Sequence, residues 1–355
     1  MKKIALRYLM GSAAFLILGA TAVRADDRTE DDRGQAVSVV ASTVPANGDL
    51  NPYGVARVRT TKGRLHAGQI LVSNFNNSAN LQGTGTTIVQ ISPQGTTTLF
   101  AQINAASLPG ACPGGVGLTT SLVALRSGFV IVGSLPTTDG TAATIGPGCL
   151  IVLDSNGTVV ETLSGPLING PWDMTARDHE NSTALFVANV LDGSVVRIML
   201  DISSMAKPAV KSMTVIGSGF SHRTDPAALV IGPTGVGLGE DGILYVADSL
   251  NNRIAAIPHA ISRTSSAGTG TTVSQGGTLN DPLGLAIGPD KDAIATVNGN
   301  DGFLVITTAD GRQVFKKLLD STGTPPGNGT LFGLTFAGEA IYFVDDGTNT
   351  LNVLR

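Results

Sequence analysis

The sequence is poor in charged residues, which make up 14% of its 355 positions, against about 25% in an average soluble domain. Lysine and arginine number 23 and aspartate and glutamate 27, so the net charge is −4. Because binding of nucleic acid needs a basic patch or stripe, this balance argues against a nucleic-acid partner. The hydrophobic fraction of 42% indicates a large buried core.

Motifs for common catalytic chemistries are also missing. The sequence contains no serine nucleophile elbow, no phosphate-binding loop and no Walker-type lysine. The four histidines lie in polar, turn-like stretches, and no two of them have metal-ligand spacing (His66, His179, His222 and His259). We therefore predict no cofactor and no metal site, although any single histidine could act as a general base.

Only two cysteines are present, Cys112 in a loop rich in glycine and proline and Cys149 at the start of an apolar strand. In an exported chain, two cysteines favour a single disulfide. The alternative is a pair of buried free thiols. Metal binding by the pair is disfavoured because no Cys-x-x-Cys and no neighbouring histidine complete a site.

The N-terminus has the pattern of a bacterial secretory signal. Lys2, Lys3 and Arg7 form a basic region, 11–23 is apolar, and a small-x-small cleavage site ends at Ala25. The apolar run is shorter than the ~18 residues of a membrane span, so an uncleaved anchor is the weaker alternative. We expect a periplasmic or secreted protein with no span after cleavage. The predicted segments are a signal peptide at 1–25, a charged flexible lead-in at 26–34 and one propeller domain at 35–355.

The main feature that the sequence does contain is a repeated unit. It reads Pro-x-Gly-aliphatic-Ala, a turn, a strand ending in Asn or Asp, a second turn and a third strand. The clearest copy includes Gly242-Ile-Leu-Tyr-Val-Ala-Asp248 and Asn251-Asn252-Arg253-Ile254. A period of about 50 residues with several strands in each repeat is typical of a β-propeller.

Six such units can be aligned, each with a first strand that opens the unit. The predicted first strands are 51–56, 114–118, 170–174, 225–229, 281–286 and 330–334. The sixth unit lacks a fourth strand, and 35–43 is a strand without a unit, so we predict that it completes the last blade and removes the open sheet edges. The alternative is an open array. The expected fold is all-β, a six-bladed β-propeller of four-stranded blades.

The segment Tyr245-Val-Ala-Asp248 followed by Asn251-Asn252-Arg253-Ile254 resembles the signature of NHL-repeat β-propellers. The resemblance extends over 36–355, is strongest in units four and five and is weakest in unit two, which has an insertion at 134–147. It implies the propeller fold but no single function, because one fold hosts many activities.

The related gluconolactonase-like propellers hold a divalent metal with Glu, Asn and Asp, and the resemblance matches Asp248 to that Asp. The family's Asn follows a proline, and here the residues in that position are Tyr53, Trp172, Ala227, Leu283 and Phe332. A matching Glu-Gly-Pro is absent as well. Because a hard cation needs several converging oxygen ligands, no metal site is predicted.

The residue after each proline should line the central channel, because the first strand of a propeller blade is the innermost. Aromatic residues here, with polar neighbours, favour a site for a small molecule or peptide. The alternative is that the rings only plug the channel. The candidate ligand-binding residues, expected around one opening, are Tyr53, Trp172, Asp173, Phe332, Asn51, Asp225 and Asp281.

The predicted function is a recognition scaffold that binds a protein, a peptide or a small molecule at one face of the disc. The alternative is a lactonase-like hydrolase or a lyase with its site at the channel, for which His222 and Glu240 are the best acid–base candidates. If the chain is an enzyme, three or more ionisable groups should converge at the channel mouth. If it is a scaffold, aromatic and amide groups should lie there without such ionisable groups.

Overall fold

The computed structural model describes residues 35–204, 206–289 and 293–355, without the side chains of 119–121. The predicted signal peptide and lead-in lie outside the described residues. Within these ranges the regular structure is β-strand, apart from three single-turn 3-10 helices at Ala105–Ser107, Ala142–Thr144 and Ser249–Asn251. None of the described helices has the length and apolarity to cross a membrane.

Six antiparallel sheets of four strands form the blades, and strands are numbered along the chain from β1 (Val37–Ser42). Blade 1 contains β2 (Leu50–Arg57), β3 (Ile70–Asn76), β4 (Thr87–Ile91) and β5 (Thr97–Gln102). Blade 2 contains β6 (Leu118–Ala124), β7 (Val130–Ser134), β8 (Cys149–Leu153) and β9 (Val159–Leu163). Blade 3 contains β10 (Pro171–Asp178), β11 (Ser182–Asn189), β12 (Ser194–Asp201) and β13 (Ala209–Gly217).

A short hairpin of β14 (Arg223–Asp225) and β15 (Leu229–Ile231) precedes the fourth blade. Blade 4 contains β16 (Pro233–Leu238), β17 (Leu244–Asp248), β18 (Arg253–Ile257) and β19 (Thr271–Gln275). Blade 5 contains β20 (Pro282–Ile287), β21 (Ile294–Asn298), β22 (Phe303–Thr307) and β23 (Gln313–Leu318). Blade 6 contains β24 (Leu331–Ala337), β25 (Ala340–Asp345), β26 (Thr350–Leu354) and β1.

The N-terminal strand closes the ring, as predicted. Strand β1 pairs antiparallel with β26, from Val37 opposite Leu354 to Ser42 opposite Thr350. The carbonyl of Ser42 also accepts a 2.8 Å hydrogen bond from Thr97 Oγ1 in blade 1. Blade 6 therefore combines both ends of the propeller domain in one sheet, which leaves no unpaired β26 edge.

Two predicted first strands are wrong. The innermost strand of blade 4 is Pro233–Leu238 and not 225–229, and that of blade 2 begins at Leu118, where the predicted segment 114–118 ends. Asp225-Pro226 resembles the Asp281-Pro282 that opens blade 5. However, Asp225 Oδ1 accepts hydrogen bonds from the amides of Ala227 and Ala228 at 2.9 and 3.0 Å. This side-chain-capped turn joins the two strands of the hairpin.

The glycine of the Pro-x-Gly unit is explained by contact between neighbouring blades. A Cβ at Gly333 would lie 2.0 Å from the carbonyl oxygen of Tyr53 in blade 1, and one at Gly284 would lie 2.1 Å from that of Phe332 in blade 6. Likewise, a Cβ at Gly235 would lie 2.3 Å from the carbonyl oxygen of Leu283 in blade 5. Any larger residue would force the inner strands apart, so the glycine sets their close packing around the axis.

Apolar clusters fill the spaces between neighbouring blades, and a disulfide adds a covalent link. Cys112 and Cys149 are bonded with an S–S distance of 2.04 Å, which confirms the predicted pair. The bond ties the connection between blades 1 and 2 to β8. Cys149 is fully buried within the apolar cluster between these two blades.

Candidate functional site

The central channel has two ends of different character. The six inner strands β2, β6, β10, β16, β20 and β24 begin at one end, which we call the hairpin end because the β14–β15 hairpin precedes β16 there. They finish at the other, which we call the arginine end because β2 finishes at Arg57 and β10 has Arg177 as its penultimate residue.

Aromatic side chains close the channel at the hairpin end. The rings of Tyr53 and Phe332 stack with centroids 3.8 Å apart, and Trp172 meets Tyr53 edge-on at 5.5 Å. Their exposed fractions are only 5% for Tyr53, 3% for Trp172 and 8% for Phe332. Three inner strands from different blades therefore contribute to one packed plug, which is the alternative that the sequence left open.

The hairpin covers this plug from outside. Leu229 and Val230 are buried and belong to the same apolar cluster as Tyr53 and Trp172. The turn of the hairpin reaches blade 1, where Gln82 Nε2 donates a 2.9 Å hydrogen bond to the carbonyl of Ala227. Since blade 1 lies across the ring from the connection between blades 3 and 4, the hairpin spans the mouth of the channel.

At the arginine end the channel opens into a cavity of about 550 Å³, which is lined by residues from all six inner strands. Trp172 and Asp173 line it near the plug. Glycines contribute backbone to the wall, including Gly235, Gly237 and Gly284. The channel is thus a blind pocket with one entrance.

Four arginines surround this entrance, and we call them the arginine mouth: Arg57, Arg59, Arg126 and Arg177. Asp178 and Glu240 line the same opening. Asp178 Oδ2 accepts a 2.6 Å hydrogen bond from the backbone amide of Arg126, and Arg177 Nη2 lies 3.4 Å from the carbonyl oxygen of Glu240. The mouth is therefore dominated by positive charge, although the whole chain is acidic.

The guanidinium groups of the mouth influence one another. Arg59 is exposed, but partial desolvation lowers its pKa, the positive charges of Arg126 and Arg57 lower this pKa further, and the negative charge of Asp178 raises it. Among the described residues, the guanidinium groups of Arg57, Arg59 and Arg126 have no ion pair and no hydrogen bond. Three like charges thus converge without a protein counter-ion in contact.

Asp173 occupies the position at which blades 1, 4, 5 and 6 have glycine. Its Oδ2 accepts a 2.8 Å hydrogen bond from the amide of Val236 in blade 4. Burial deep in the channel raises its pKa to about 8, against the lowering effect of the amides of Val236 and Met174. Because a carboxyl with this pKa is mostly protonated at neutral pH, Asp173 can donate a hydrogen bond into the cavity.

Acidic groups lie at the hairpin end as well. Burial raises the pKa of Asp281 to about 6, where Asp225 adds to the increase and Arg223 opposes it. Burial, together with Asp345, raises the pKa of Asp346 to about 7. These carboxyls are therefore harder to ionise than ordinary surface aspartates.

Backbone conformation explains two of the polar residues that come directly before the prolines of the inner strands. Asn51 and Asp281 have φ values of +59° and +57°, in the left-handed region that Asn and Asp tolerate better than most residues. The corresponding residue before Pro171 is Gly170, with φ +70°. A structural requirement of the turn thus accounts for these residue types.

The seven candidate residues do not surround one opening. Two of them, Trp172 and Asp173, line the channel cavity. Tyr53 and Phe332 form the plug with Trp172, while the other three lie at the hairpin end as Asn51, Asp225 and Asp281. Binding by any of the seven stays a prediction.

The acid–base pair suggested by the sequence is not assembled. His222 precedes the hairpin, where its Nδ1 lies 3.1 Å from the carbonyl oxygen of Phe220, whereas Glu240 lies at the arginine mouth. The six-residue strand β16 lies between them, and such a strand spans about 20 Å. His222 and Glu240 therefore belong to opposite ends of the channel.

The residue that matched a lactonase metal ligand also has another role. Asp248 is buried and forms an ion pair with Arg253, at 2.8 Å between Oδ2 and Nη2. Within the described parts of the chain, no three His, Cys, Asp or Glu side chains are grouped so that they could hold a metal ion.

Sequence reasoning missed the arginine mouth. The first strands were aligned only to their fifth or sixth residue, and the arginines come just after that point. A usable signal exists, because basic residues follow the apolar core of the first strand in units one to three, at Arg57, Arg126 and Arg177. In unit four an acidic residue, Glu240, follows this apolar core instead.

Comparisons with solved structures place the fold among β-propellers. The chain is similar to a catalytically inactive variant of virginiamycin B lyase from Staphylococcus aureus, solved with quinupristin, at 16% identity and a TM-score of 0.50 over 90% of this chain and 85% of that one. It is also similar to a PQQ-bound aldose sugar dehydrogenase from Streptomyces coelicolor, at 14% identity and a TM-score of 0.51 over 91% and 98%.

A third solved structure, from Thermus thermophilus, has a provisional description as an oxidoreductase (glucose dehydrogenase). It shares 13% identity with this chain and has a TM-score of 0.54 over 91% of this chain and 100% of that one. At such low identities the likeness shows the fold alone. No family model and no curated protein sequence matches the chain.

Proposed function

We propose that this chain is an exported, NHL-like binding protein that takes a small ligand into its central channel from the arginine end. The observation that carries the proposal is the blind pocket. Its volume of about 550 Å³ lies in the range of about 300–1,000 Å³ that is usual for small-molecule sites. The closed hairpin end leaves one route of entry.

The groups at the mouth support binding more than catalysis. Six ionisable groups lie at the mouth, which meets the number of three or more expected for an enzyme. However, four of the six are arginines. A guanidinium group keeps its proton at neutral pH, so it can hold an anion but cannot exchange protons as a general acid or base. The carboxylate of Asp178 already accepts hydrogen bonds from the Arg126 amide at 2.6 Å and from Thr183 Oγ1 at 2.8 Å.

Export is part of the proposal and is supported by the disulfide. The bond between Cys112 and Cys149 is of a kind that persists in oxidising compartments such as the bacterial periplasm and is rare in the cytosol. Fractionation of cells that express the full chain should therefore place it in the periplasm or the medium. Recovery of the uncleaved chain from the cytosol alone would contradict export.

A hydrolase or lyase is the second candidate, and Asp173 is the observation that favours it. A carboxyl whose pKa is raised to about 8 can donate a proton at neutral pH. The three named structural neighbours are enzymes, although a shared fold does not transfer an activity. In this alternative Asp173 would be the general acid at the end of the channel.

The experiment uses Trp172, the only tryptophan in the chain, as a reporter in the cavity. A small-molecule library is screened by thermal shift and by Trp172 fluorescence. Thr175 lines the cavity, and Thr175→Phe places a bulky ring there that obstructs it, whereas Thr264→Phe makes the same change in an exposed loop. Ligands that bind the wild type and Thr264→Phe but not Thr175→Phe support the channel site. Ligands that bind all three equally would overturn it.

The two candidate functions are separated by a variant of the buried carboxyl. Asp173→Asn keeps the size of the side chain but cannot supply a proton. If the chain is a binding protein, this variant retains ligand affinity and no turnover is seen in either form. If a lactone, ester or lyase substrate panel shows turnover that Asp173→Asn abolishes while binding persists, the enzyme is the correct interpretation.

A further inference from the structure

We propose that the channel ligand carries an oxyanion, a carboxylate or a phosphate, and that Arg57, Arg59 and Arg126 bind this group at the entrance. The inference rests on the proposed function, since it names the class of ligand for the same pocket. It differs from the sequence prediction, which put the recognition residues at the hairpin end.

The first argument is that these positive charges lack protein partners. The three guanidinium groups have no ion pair among the described residues, and they come from the inner strand of blade 1 and from the loops that follow the inner strands of blades 1 and 2. Guanidinium groups match carboxylate and phosphate oxygens in planar, bidentate pairs. A bound oxyanion would supply the counter-charge that the protein does not place in contact with them.

The second argument concerns the acidic groups that face the mouth. Asp178 is the carboxylate that acts on Arg59, but its oxygens accept hydrogen bonds from the amide of Arg126 and the hydroxyl of Thr183. The other acid at the opening is Glu240, whose backbone carbonyl is close to Arg177. Among the described residues, Asp178 therefore forms no ion pair with a guanidinium group, although its charge acts on Arg59.

The third argument is the pocket behind the mouth. An isolated surface cluster of arginines would bind any anion weakly, because water screens exposed charges. Here the three arginines are exposed, but they stand at the rim of an open pocket whose wall contains glycine backbone and the carboxyl of Asp173. The oxyanion can therefore be held at the rim while the polar remainder of the ligand points towards Asp173 and Trp172.

The test uses calorimetry with three defined probes: malonate, its neutral counterpart malonamide, and inorganic phosphate. Each is titrated into the mature protein at low salt. The variants are Arg59→Gln and the double variant Arg59→Gln/Arg126→Gln. The matched control is Arg312→Gln, which removes the same charge from an exposed turn on blade 5, where Arg312 pairs with Asp310.

We expect malonate and phosphate to bind the wild type, and malonamide not to bind. Affinity for the anions should fall at least about tenfold in Arg59→Gln, further in the double variant, and not in Arg312→Gln. Equal affinity for malonate and malonamide, anion binding that Arg59→Gln leaves unchanged, or no anion binding at millimolar concentration would each overturn the inference.

The outcome is separable from that of the proposed function. If library ligands are excluded by Thr175→Phe but neither carry an anionic group nor compete with malonate, the channel site stands and the oxyanion inference fails. The opposite outcome is malonate binding that depends on Arg59, with library ligands that bind Thr175→Phe as tightly as the wild type. In that case the arginine mouth is an anion site, and the proposal that the channel is a ligand pocket is wrong.

Discussion

The two ends of the channel are built from the same six strands, but one end is closed by packed side chains and the other is open. At the hairpin end, Tyr53, Trp172 and Phe332 pack into a plug beneath Leu229 and Val230, and the nearby carboxyls resist ionisation. At the arginine end, the strands diverge into an open cavity ringed by cations that have few partners. The hairpin end resembles a protein core, and the arginine end resembles a binding site.

This difference indicates that one end of each inner strand contributes mainly to stability and the other end mainly to binding. At the hairpin end, left-handed residues precede the proline of the inner strand in blades 1, 3 and 5, and glycine contacts constrain the inner strands of blades 4, 5 and 6, so these residues are selected for packing. Near the finish, Gly237 of β16 meets Leu285 of blade 5 in this way, but the last side chains of the inner strands differ between blades. Substitutions at the hairpin end should therefore affect stability, and substitutions at the arginine end should affect binding.

The largest effect should come from opening the ring, which breaks both ends together. Deleting 35–42 removes β1 and leaves the edge of β26 unpaired. We expect loss of the cooperative melting transition and a tendency to aggregate. A chain that begins at Gln35 is the control. If the chain that begins at Thr43 melts like this control, closure by β1 is not required.

Removal of a plug residue should be the next largest effect. Tyr53→Ala leaves a cavity next to Phe332 and Trp172 and should cost ~3–5 kcal/mol of unfolding free energy, as for other buried aromatic residues. Arg57→Ala, on the same strand but at the open end, should cost less than about 0.5 kcal/mol. Chemical denaturation measures both. Similar losses for the two variants would remove the distinction between the ends.

Trp172 needs a milder change than alanine. With an exposed fraction of 3%, Trp172→Ala should destabilise the disc rather than only weaken binding. Trp172→Phe keeps an aromatic ring in the plug and is the better variant for testing the cavity. Retained melting temperature with altered ligand affinity is the expected result.

The disulfide should contribute somewhat less than a full plug residue. Breaking the Cys112–Cys149 bond, which spans 37 positions, should cost around 3–4 kcal/mol in the chain-entropy model. The variant Cys112→Ala/Cys149→Ala is compared with the wild type by denaturation, and with the reduced wild type as a second control. Native protein in which both thiols are alkylated without reduction would contradict the bond itself.

The dependence of stability on pH should be a smaller effect and specific to the hairpin end. Burial raises the pKa of Asp281 to about 6, so the folded state binds its proton more tightly than the unfolded state does. The resulting stabilisation is complete below pH ~4 and disappears as the pH rises through about 6, roughly 3 kcal/mol in total. Asp346 should add a similar trend up to about pH 7.

Asp281→Asn tests this sign directly. Asparagine suits the left-handed backbone, as Asn51 shows in blade 1, and it cannot ionise. The variant should match the wild type near pH 4.5 and melt at a higher temperature at pH 8. Asp310→Asn is the control, because the pKa of this exposed aspartate is lowered and its loss gives no gain at pH 8. A lower melting temperature for Asp281→Asn at pH 8 would show that its charge is needed.

Much of the fold could be predicted because the repeat encodes backbone requirements. The glycine that follows the x position, as in Gly284 and Gly333, is dictated by a close approach that repeats around the ring. The error at 225–229 arose because an Asp-Pro turn looks the same in sequence whether it opens a blade or a hairpin. That segment lacks the Pro-x-Gly glycine, which Pro233-Thr-Gly235 has, and this difference distinguishes the two.

The site was harder to predict because its residues come from departures from the repeat. Asp173 stands where four other blades have glycine. It became a candidate because it follows Trp172 in the sequence, which gives no information about its position in the channel. The arginines lie beyond the repeated core of the strand and converge only when three blades are placed side by side. Which end of the channel is closed depends on the hairpin, whose position across the ring is set by contacts such as that of Gln82 with Ala227.

The most direct measurement is the location of a heavy anion in crystals of a chain that begins at Gln35. Iodide is soaked in, and its anomalous scattering shows where it binds without an assumption about the natural ligand. The account predicts the strongest iodide peak at the entrance of the channel, among Arg57, Arg59 and Arg126, and its loss in Arg59→Gln. Iodide peaks elsewhere with none at the entrance, or an entrance peak that Arg59→Gln leaves unchanged, would contradict it.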